Sequence, residues 1–232
     1  MSQCIIAATD IEIGILLKEL RCDHDGSVIG FDIYRSKGYR HQVYVIRSGP
    51  GVANAAAAAA LAIERLRPER LYNIGVCGVY SDDTALLARV VAGTSAVFAD
   101  AGVDGDGGFC TMKDIDLPLA ILDDGRKVYN IIQLHDDDFS ETLRRGMFFT
   151  LSACSGDIDR AEKVKHRFET GIEELVCEDM ETAAVAFIAQ KAQIPCSVLR
   201  GISNLCGERN YKAWKLNEAA EAAQKELLNH FF

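Results

Sequence analysis

Three short stretches of this 232-residue chain put reactive side chains where an apolar run gives way to polar residues. Glu12 comes about one turn after the compact apolar run at 4–8. Glu178-Asp-Met-Glu-Thr-Ala-Ala-Val-Ala sets Asp179, Met180 and Glu181 at the start of a nearly all-apolar helix. Leu199-Arg-Gly-Ile-Ser-Asn204 is an apolar strand that ends in the polar pair Ser203 and Asn204. Taken singly, each has a plain explanation. Carboxylates near a helix N-terminus are favoured electrostatically, so Asp179 and Glu181 would be caps. An asparagine commonly closes a strand or turn. Taken together, they are carboxylates and a carboxamide at the ends of separate strands, where α/β sheets bind their ligands.

Other patterns carry less. Gly49-Pro-Gly51-Val-Ala-Asn54 has the first two glycines of a dinucleotide fingerprint. The third is missing and Pro50 occupies the tight turn, so the run reads as a turn entering a helix. No Gly-Lys-Ser/Thr phosphate loop and no Gly-x-Ser-x-Gly elbow occurs. His135-Asp-Asp-Asp138 contains metal-ligand types, but adjacent side chains point apart and no second cluster completes a site. It reads as a solvated loop, as do Asp82-Asp83 and Asp123-Asp124. No metal and no cofactor are expected.

The elements that must position the reactive residues alternate. Strands are predicted at 4–8, 30–34, 43–47, 72–76, 90–99, 128–134, 175–178 and 196–202. Helices are predicted at 11–20, 52–66, 159–168, 180–193 and 212–231. Residues 100–127, rich in Asp and Gly, read as a functional excursion rather than a linker. Such alternation, with several fully apolar strands, implies a three-layer α/β/α fold around a central mixed sheet. The ligand should then lie just after Ala8, Val76, Glu178 and Ile202. The alanine-rich helix at 52–66 should be thin and pack close to its neighbours.

Composition narrows the classes. A length of 232 residues suits one α/β domain spanning 1–232. With 49% apolar and 25% charged residues the chain is neither disordered nor fibrous. A formal charge of −9 argues against a general nucleic-acid binder or a polybasic membrane-surface protein. No run approaches the roughly 20 apolar residues of a membrane span. The eight scattered cysteines form no Cys-x-x-Cys pair, and without a secretory signal they read as reduced, mostly buried thiols of a cytoplasmic protein.

The runs Asn-Ile-Gly-Val-Cys-Gly-Val (73–79), Glu-Asp-Met-Glu-Thr-Ala-Ala (178–184) and Leu-Arg-Gly-Ile-Ser-Asn (199–204) resemble the purine nucleoside phosphorylase and methylthioadenosine nucleosidase superfamily. Glu12 within Glu-Ile-Gly-Ile-Leu-Leu matches its first strand and helix. The likeness covers nearly the whole chain and is weakest over 100–150. Within it, the run 200–214, ending in Lys-Ala-Trp, is most similar to the futalosine hydrolase family. That family cleaves futalosine to hypoxanthine and dehypoxanthinyl futalosine in menaquinone biosynthesis by the futalosine pathway.

The resemblance implies a hydrolase of N-glycosyl bonds acting on a purine nucleoside. Glu12 would position and deprotonate the attacking water, work that suits a partly buried carboxylate. Glu181 would hold a ribose hydroxyl and Met180 would pack against the sugar. Asn204 would stabilise the departing base. It replaces the aspartate of the methylthioadenosine nucleosidases, which accepts from a 6-amino group. An asparagine offers an N–H to O6 and a carbonyl to a protonated N7, so a 6-oxopurine is expected to leave. Gly78, Val79, Asp179 and Ser203 would line the base pocket, with Val79 and Tyr80 replacing smaller residues usual there.

Phosphorylases of the superfamily carry Gly-Asp-Pro-x-Arg after the first strand. This chain has Thr9-Asp-Ile-Glu-Ile-Gly14 and no arginine there, which favours water, although Arg47 ends a later strand and could meet an anion. Phe109 and Trp214 are candidate aromatic walls for the 5′ substituent, with a loop anchor and a helix core residue as their plain alternatives. Phe109 could act in a neighbouring subunit, since the resemblance implies a homo-oligomer. Arg200 or Arg209 could meet a substrate carboxylate. The alternatives are another purine nucleosidase, an inosine or guanosine phosphorylase, or a non-catalytic nucleoside-binding protein. The partner in every case is a small nucleoside.

Overall fold

The computed structural model describes residues 2–37, 41–136, 139–168 and 174–231. Part of the polar turn at 36–42, and Asp137 and Asp138 of the acidic run, lie outside the described residues. The chain runs β1 (Ser2–Ala7), α1 (Gly14–Glu19), β2 (Asp23–Val28), β3 (Phe31–Arg35), β4 (Gln42–Arg47), α2 (Val52–Leu66), β5 (Arg70–Val79) and β6 (Val90–Phe98). It continues through the short strands β7 (Gly102–Gly105), β8 (Gly108–Thr111), β9 (Ala120–Ile121), β10 (Lys127–Val128) and β11 (Ile131–Gln133). It ends with β12 (Arg144–Thr150), α3 (Ile158–Lys165), β13 (Leu175–Asp179), α4 (Thr182–Lys191), β14 (Cys196–Leu205) and α5 (Leu216–Phe231).

Ten strands form one mixed sheet. In one half, β1 lies parallel between β4 and β5, and β2 and β3 add an antiparallel edge. In the other half the sheet curls on itself. There β5 pairs with β14, β14 with β6, β6 with β12, β12 with β13, and β13 with β5 again through Cys177 and Glu178. The three layers follow from which faces are apolar. On one face α2 and α4 press small side chains, Ala55, Ala58, Ala59, Ala62, Ala183, Ala184 and Ala186, against Ile6, Ile46 and Leu71. The close approach expected of a thin alanine helix is seen here. On the other face α1 and α5 cover Ile5, Val45 and Ile74 with Leu16, Ala223 and Leu227. Each fully buried Ile or Leu contributes about 1.5–3 kcal/mol to holding these layers together.

The α/β/α fold class is therefore observed, with differences in detail. The helix predicted at 11–20 divides into a 3₁₀ turn, Asp10–Glu12, and α1. The cause is local: the Glu12 carboxylate reaches back and accepts from the Thr9 N–H at 2.8 Å. The strand predicted at 128–134 breaks at Asn130, whose side chain turns inward to donate to the Phe98 and Ala101 carbonyls at 2.9 and 2.7 Å. Residues 100–127 contain two small hairpin pairings. Two strands of the ten-stranded sheet were not anticipated. β2 is an exposed, polar edge strand, and β12 hides its apolar run behind two arginines. Of the cysteines, Cys4, Cys77, Cys177 and Cys196 are buried, Cys22, Cys154 and Cys206 half-buried, and Cys110 exposed.

Candidate active site

A cavity of about 270 Å³ opens at the carboxyl ends of the central strands. All four expected strand ends border it, through Thr9 and Glu12, Val76 to Gly78, Glu178 to Glu181, and Ser203 and Asn204. The geometry thus brings Glu12, Gly78, Met180, Glu181, Ser203, Asn204 and Trp214 to one place.

Glu12 is held from three sides. Its Oε2 accepts from the Thr9 N–H at 2.8 Å and the Thr9 hydroxyl at 2.7 Å, and its Oε1 accepts from the Val76 N–H at 3.0 Å. Residue 75 must be glycine for this grip: a Cβ there would lie 2.6 Å from Glu12 Oε1. The buried carboxylate is fixed in orientation with acceptor capacity to spare, since two oxygens offer about four lone-pair sites. Glu181 stands at the N-cap position of α4, but its side chain makes no capping bond. Its Oε1 crosses to the turn before α2 and accepts from the Gly51 N–H at 2.7 Å. That contact gives the Gly-Pro-Gly turn a role beyond entering a helix. Burial, reinforced by the Asp179 charge, raises the Glu181 carboxyl to about 7.

Asp179 is the cap, and its main work faces away from the cavity. Its carboxylate accepts from the Thr182 N–H at 3.2 Å and the Thr150 hydroxyl at 2.7 Å, and pairs with Arg200 at 3.0 Å. Asp179 thus borders the cavity as expected, while its charge is paired with Arg200. Arg200 is 1% exposed and also donates to Asn73 at 2.5 Å and Thr182 at 2.9 Å. It is not placed to meet a substrate carboxylate. Arg209 borders the cavity instead.

Asn204 accepts from the Ser203 hydroxyl at 2.8 Å and donates to the Leu205 carbonyl at 3.0 Å. One amide proton and one carbonyl lone pair remain. Two expected pocket residues lie elsewhere. Val79 is fully buried in the core, because a strand alternates its side chains and Gly78 is the neighbour that faces the cavity. Phe109 packs on Phe168, ring centroids 6.3 Å apart, under the Arg167 guanidinium, outside the cavity of its own chain. Trp214 is no helix core residue. It sits in the turn before α5, its ring 4.9 Å from that of Tyr211. Arg47 is tied to Asp10 at 2.7 Å and to Asp32. Cys154 and Ser155 border the cavity and were missed because they follow β12, itself unrecognised. The Ser-Gly-Asp turn after Met-Phe-Phe was the available signal.

A model of the phosphorylase superfamily matches residues 3–230, and the chain belongs to that superfamily. The 5′-methylthioadenosine/S-adenosylhomocysteine nucleosidase of Psychromonas ingrahamii is 27% identical over 206 residues, 89% of this chain and 87% of that protein. The nucleosidase of the same name from Tolumonas auensis is 25% identical over 221 residues, 95% of this chain and 93% of that protein. These homologues are hydrolases of purine nucleoside N-glycosyl bonds. The crystal structure of the Colwellia psychrerythraea nucleosidase in complex with adenine shares the fold, with a TM-score of 0.78 at 22% identity, covering 100% of this chain and 94% of that one.

The raised carboxyl of Glu181 has a consequence for stability. Between its ordinary 4.5 and about 7 the folded protein keeps a proton that the unfolded chain has released. Its contribution is fully present below that window and is lost as pH rises through it. Urea unfolding of wild type and Glu181→Gln across this range should show wild type losing stability relative to the variant as pH rises. A constant difference would refute the shift.

Proposed function

We propose that this protein is a purine nucleosidase that uses water as nucleophile and releases a 6-oxopurine, with futalosine as substrate and hypoxanthine as the departing base. The observation that carries this reading is one cavity bordered by Glu12, Glu181 and an asparagine at 204 that still has a donor and an acceptor to give. Breaking an N-glycosidic bond builds positive charge on the ribose and negative charge on the base. Glu12, oriented by the Thr9 and Val76 donors, takes the proton of the attacking water. Glu181 holds a ribose hydroxyl through a bond that strengthens as the sugar becomes cationic. Met180 packs on the sugar. Asn204 gives its free N–H to O6 and its free lone pair to N7–H, which relieves charge on the leaving base.

The 5′ side of the nucleoside meets Trp214 and Arg209, a flat ring and a cation, which suits an aromatic carboxylate substituent. Phe109 enters this reading only as a residue lent to the site of a second copy in a homo-oligomer. The protein is proposed to work in the cytoplasm, in menaquinone biosynthesis. The named relatives favour a second reading, cleavage of methylthioadenosine, in which Asn204 would face a 6-amino group.

Purified protein should release hypoxanthine from futalosine in phosphate-free buffer, followed by chromatography. Binding without turnover, turnover only with phosphate, or exclusive cleavage of methylthioadenosine would each sink the proposal. Glu12→Gln should lose about 10²–10⁴-fold in kcat while keeping its affinity for hypoxanthine. Full turnover in that variant would remove Glu12 as the base. Asn204→Asp should move relative kcat/KM from 6-oxo toward 6-amino nucleosides by about 10–100-fold, the worth of one mismatched buried hydrogen bond. Unchanged preference would refute the pairing.

A further inference from the structure

One buried carboxylate of the cavity has no part in the steps above. Glu178 is 5% exposed and borders the cavity with Cys154 and Ser155. Among the described residues it pairs with no cation. Three donors hold it from behind: the Ser155 N–H at 2.7 Å on Oε1, and the Ser155 hydroxyl at 2.6 Å and the Tyr80 hydroxyl at 2.5 Å on Oε2. Burial and the neighbouring Glu178 charge push the Tyr80 phenol up, so it remains a donor. A carboxylate has about four acceptor sites, and beyond these three donors it meets only the weak S–H donor of Cys154, which leaves one site for a stronger N–H donor to claim.

The sheet register places that site. Glu178 on β13 pairs with Gly78 on β5, and Gly78 pairs with Asn204 on β14. The three residues form one row across three strands, with the two polar residues on either side of a bare glycine. A side chain at 78 would strike the Asn204 amide nitrogen at 3.1 Å and the Cys206 sulfur at 2.9 Å. Two strand spacings separate the flanking backbones by about 9–10 Å. That gap suits a flat heterocycle with a hydrogen bond at each end.

We propose that Glu178 is a specificity-determining residue that accepts the N1–H of a 6-oxopurine, opposite Asn204 at O6 and N7. The inference rests on the nucleosidase reading and deepens it. The lactam form of hypoxanthine or guanine carries a proton on N1 and donates to a carboxylate. Adenine carries a lone pair on N1, which the same carboxylate repels. Asn204 favours O6 only while its amide keeps the orientation set by the Ser203 hydroxyl and the Leu205 carbonyl. A fixed carboxylate is an acceptor only, and it makes the choice one-sided. The competing role is a purely structural tether for the turn that holds Cys154 and Ser155.

Calorimetric titration with hypoxanthine, 1-methylhypoxanthine and adenine separates the two roles. Wild type should bind hypoxanthine and lose about tenfold or more in affinity when N1 is methylated. Glu178→Gln, which keeps the shape and removes the charge, should narrow that ratio. Glu178→Ala, which opens room for the methyl group, should bring the ratio close to one. A structural tether would weaken all ligands together and leave the ratio unchanged. Equal wild-type affinity for hypoxanthine and its 1-methyl derivative would overturn the assignment and leave the nucleosidase reading standing. So would an unchanged ratio in variants that melt like wild type. Binding of adenine with none of hypoxanthine would overturn both. If Glu178→Ala fails to fold, the isosteric Glu178→Gln carries the comparison.

Discussion

The site depends on a guanidinium buried in the middle of the fold. Arg200 donates to Asp179, Asn73, Thr182 and the Leu199 carbonyl from the middle of the sheet. An isolated charge in that position would be prohibitive, and removing one partner of such a pair costs about 3–5 kcal/mol. The compensation is spread across the fold. Asp179 ends β13, Asn73 belongs to β5, Thr182 opens α4, and Asp179 passes the connection to Thr150 at the end of β12. One cation therefore sets the register of three neighbouring strands and the start of α4. Met180 and Glu181 lie between Asp179 and Thr182, two residues of this network. Ser203 and Asn204 come just after Arg200 on β14. The interior ion pair is thus what holds the cavity walls at their spacing.

A cost of that arrangement appears at Glu181. It shares a small space with Asp179 and Glu12, and only Arg200 and the Gly51 N–H counter the crowding. Arg200 is largely committed to Asp179, so the empty site favours a proton on Glu181. A positively charged sugar would supply the missing counter-charge. Such a site binds a cationic transition state better than a neutral ground state, which is what acceleration requires. In the proposed mechanism the strain of three neighbouring carboxyls becomes differential binding.

Much of this was legible in the sequence. The four strand ends, the thin α2 and the pairing of apolar strands with helices follow from periodicity and from the residue types at each transition. Glu12, Glu181 and Asn204 were readable as candidates because each stands near a boundary between apolar and polar residues, and their roles followed from the family resemblance. What could not be read was long-range. No local pattern shows that Asp179 spends its charge on Arg200, since both residues look equally available in the chain. Trp214 looked like part of the last helix because its neighbours suit one, yet the helix starts at Leu216. β12 was invisible because its apolar residues follow charged ones, and with it went the Cys154 and Ser155 wall. Glu178 was hidden in plain view beside Asp179 and Glu181, because its meaning depends on the Gly78 row.

The choice between water and phosphate can be argued from charge. Glu12, Glu178, Asp179 and Glu181 all border the cavity. Against them stand Arg209 at the wall and Arg200 behind it, the latter already neutralised by Asp179. Arg47, the other candidate for gripping an anion, is held by Asp10 and Asp32. Burial favours the protonated form of Glu181, but the acidic lining still makes the pocket repel a dianion, and the low dielectric of a small cavity strengthens that repulsion. A neutral water meets no such barrier, and it needs what phosphate does not: a base within reach. The Thr9 and Val76 donors hold Glu12 in that position, so the same carboxylate that excludes the anion prepares the nucleophile that replaces it.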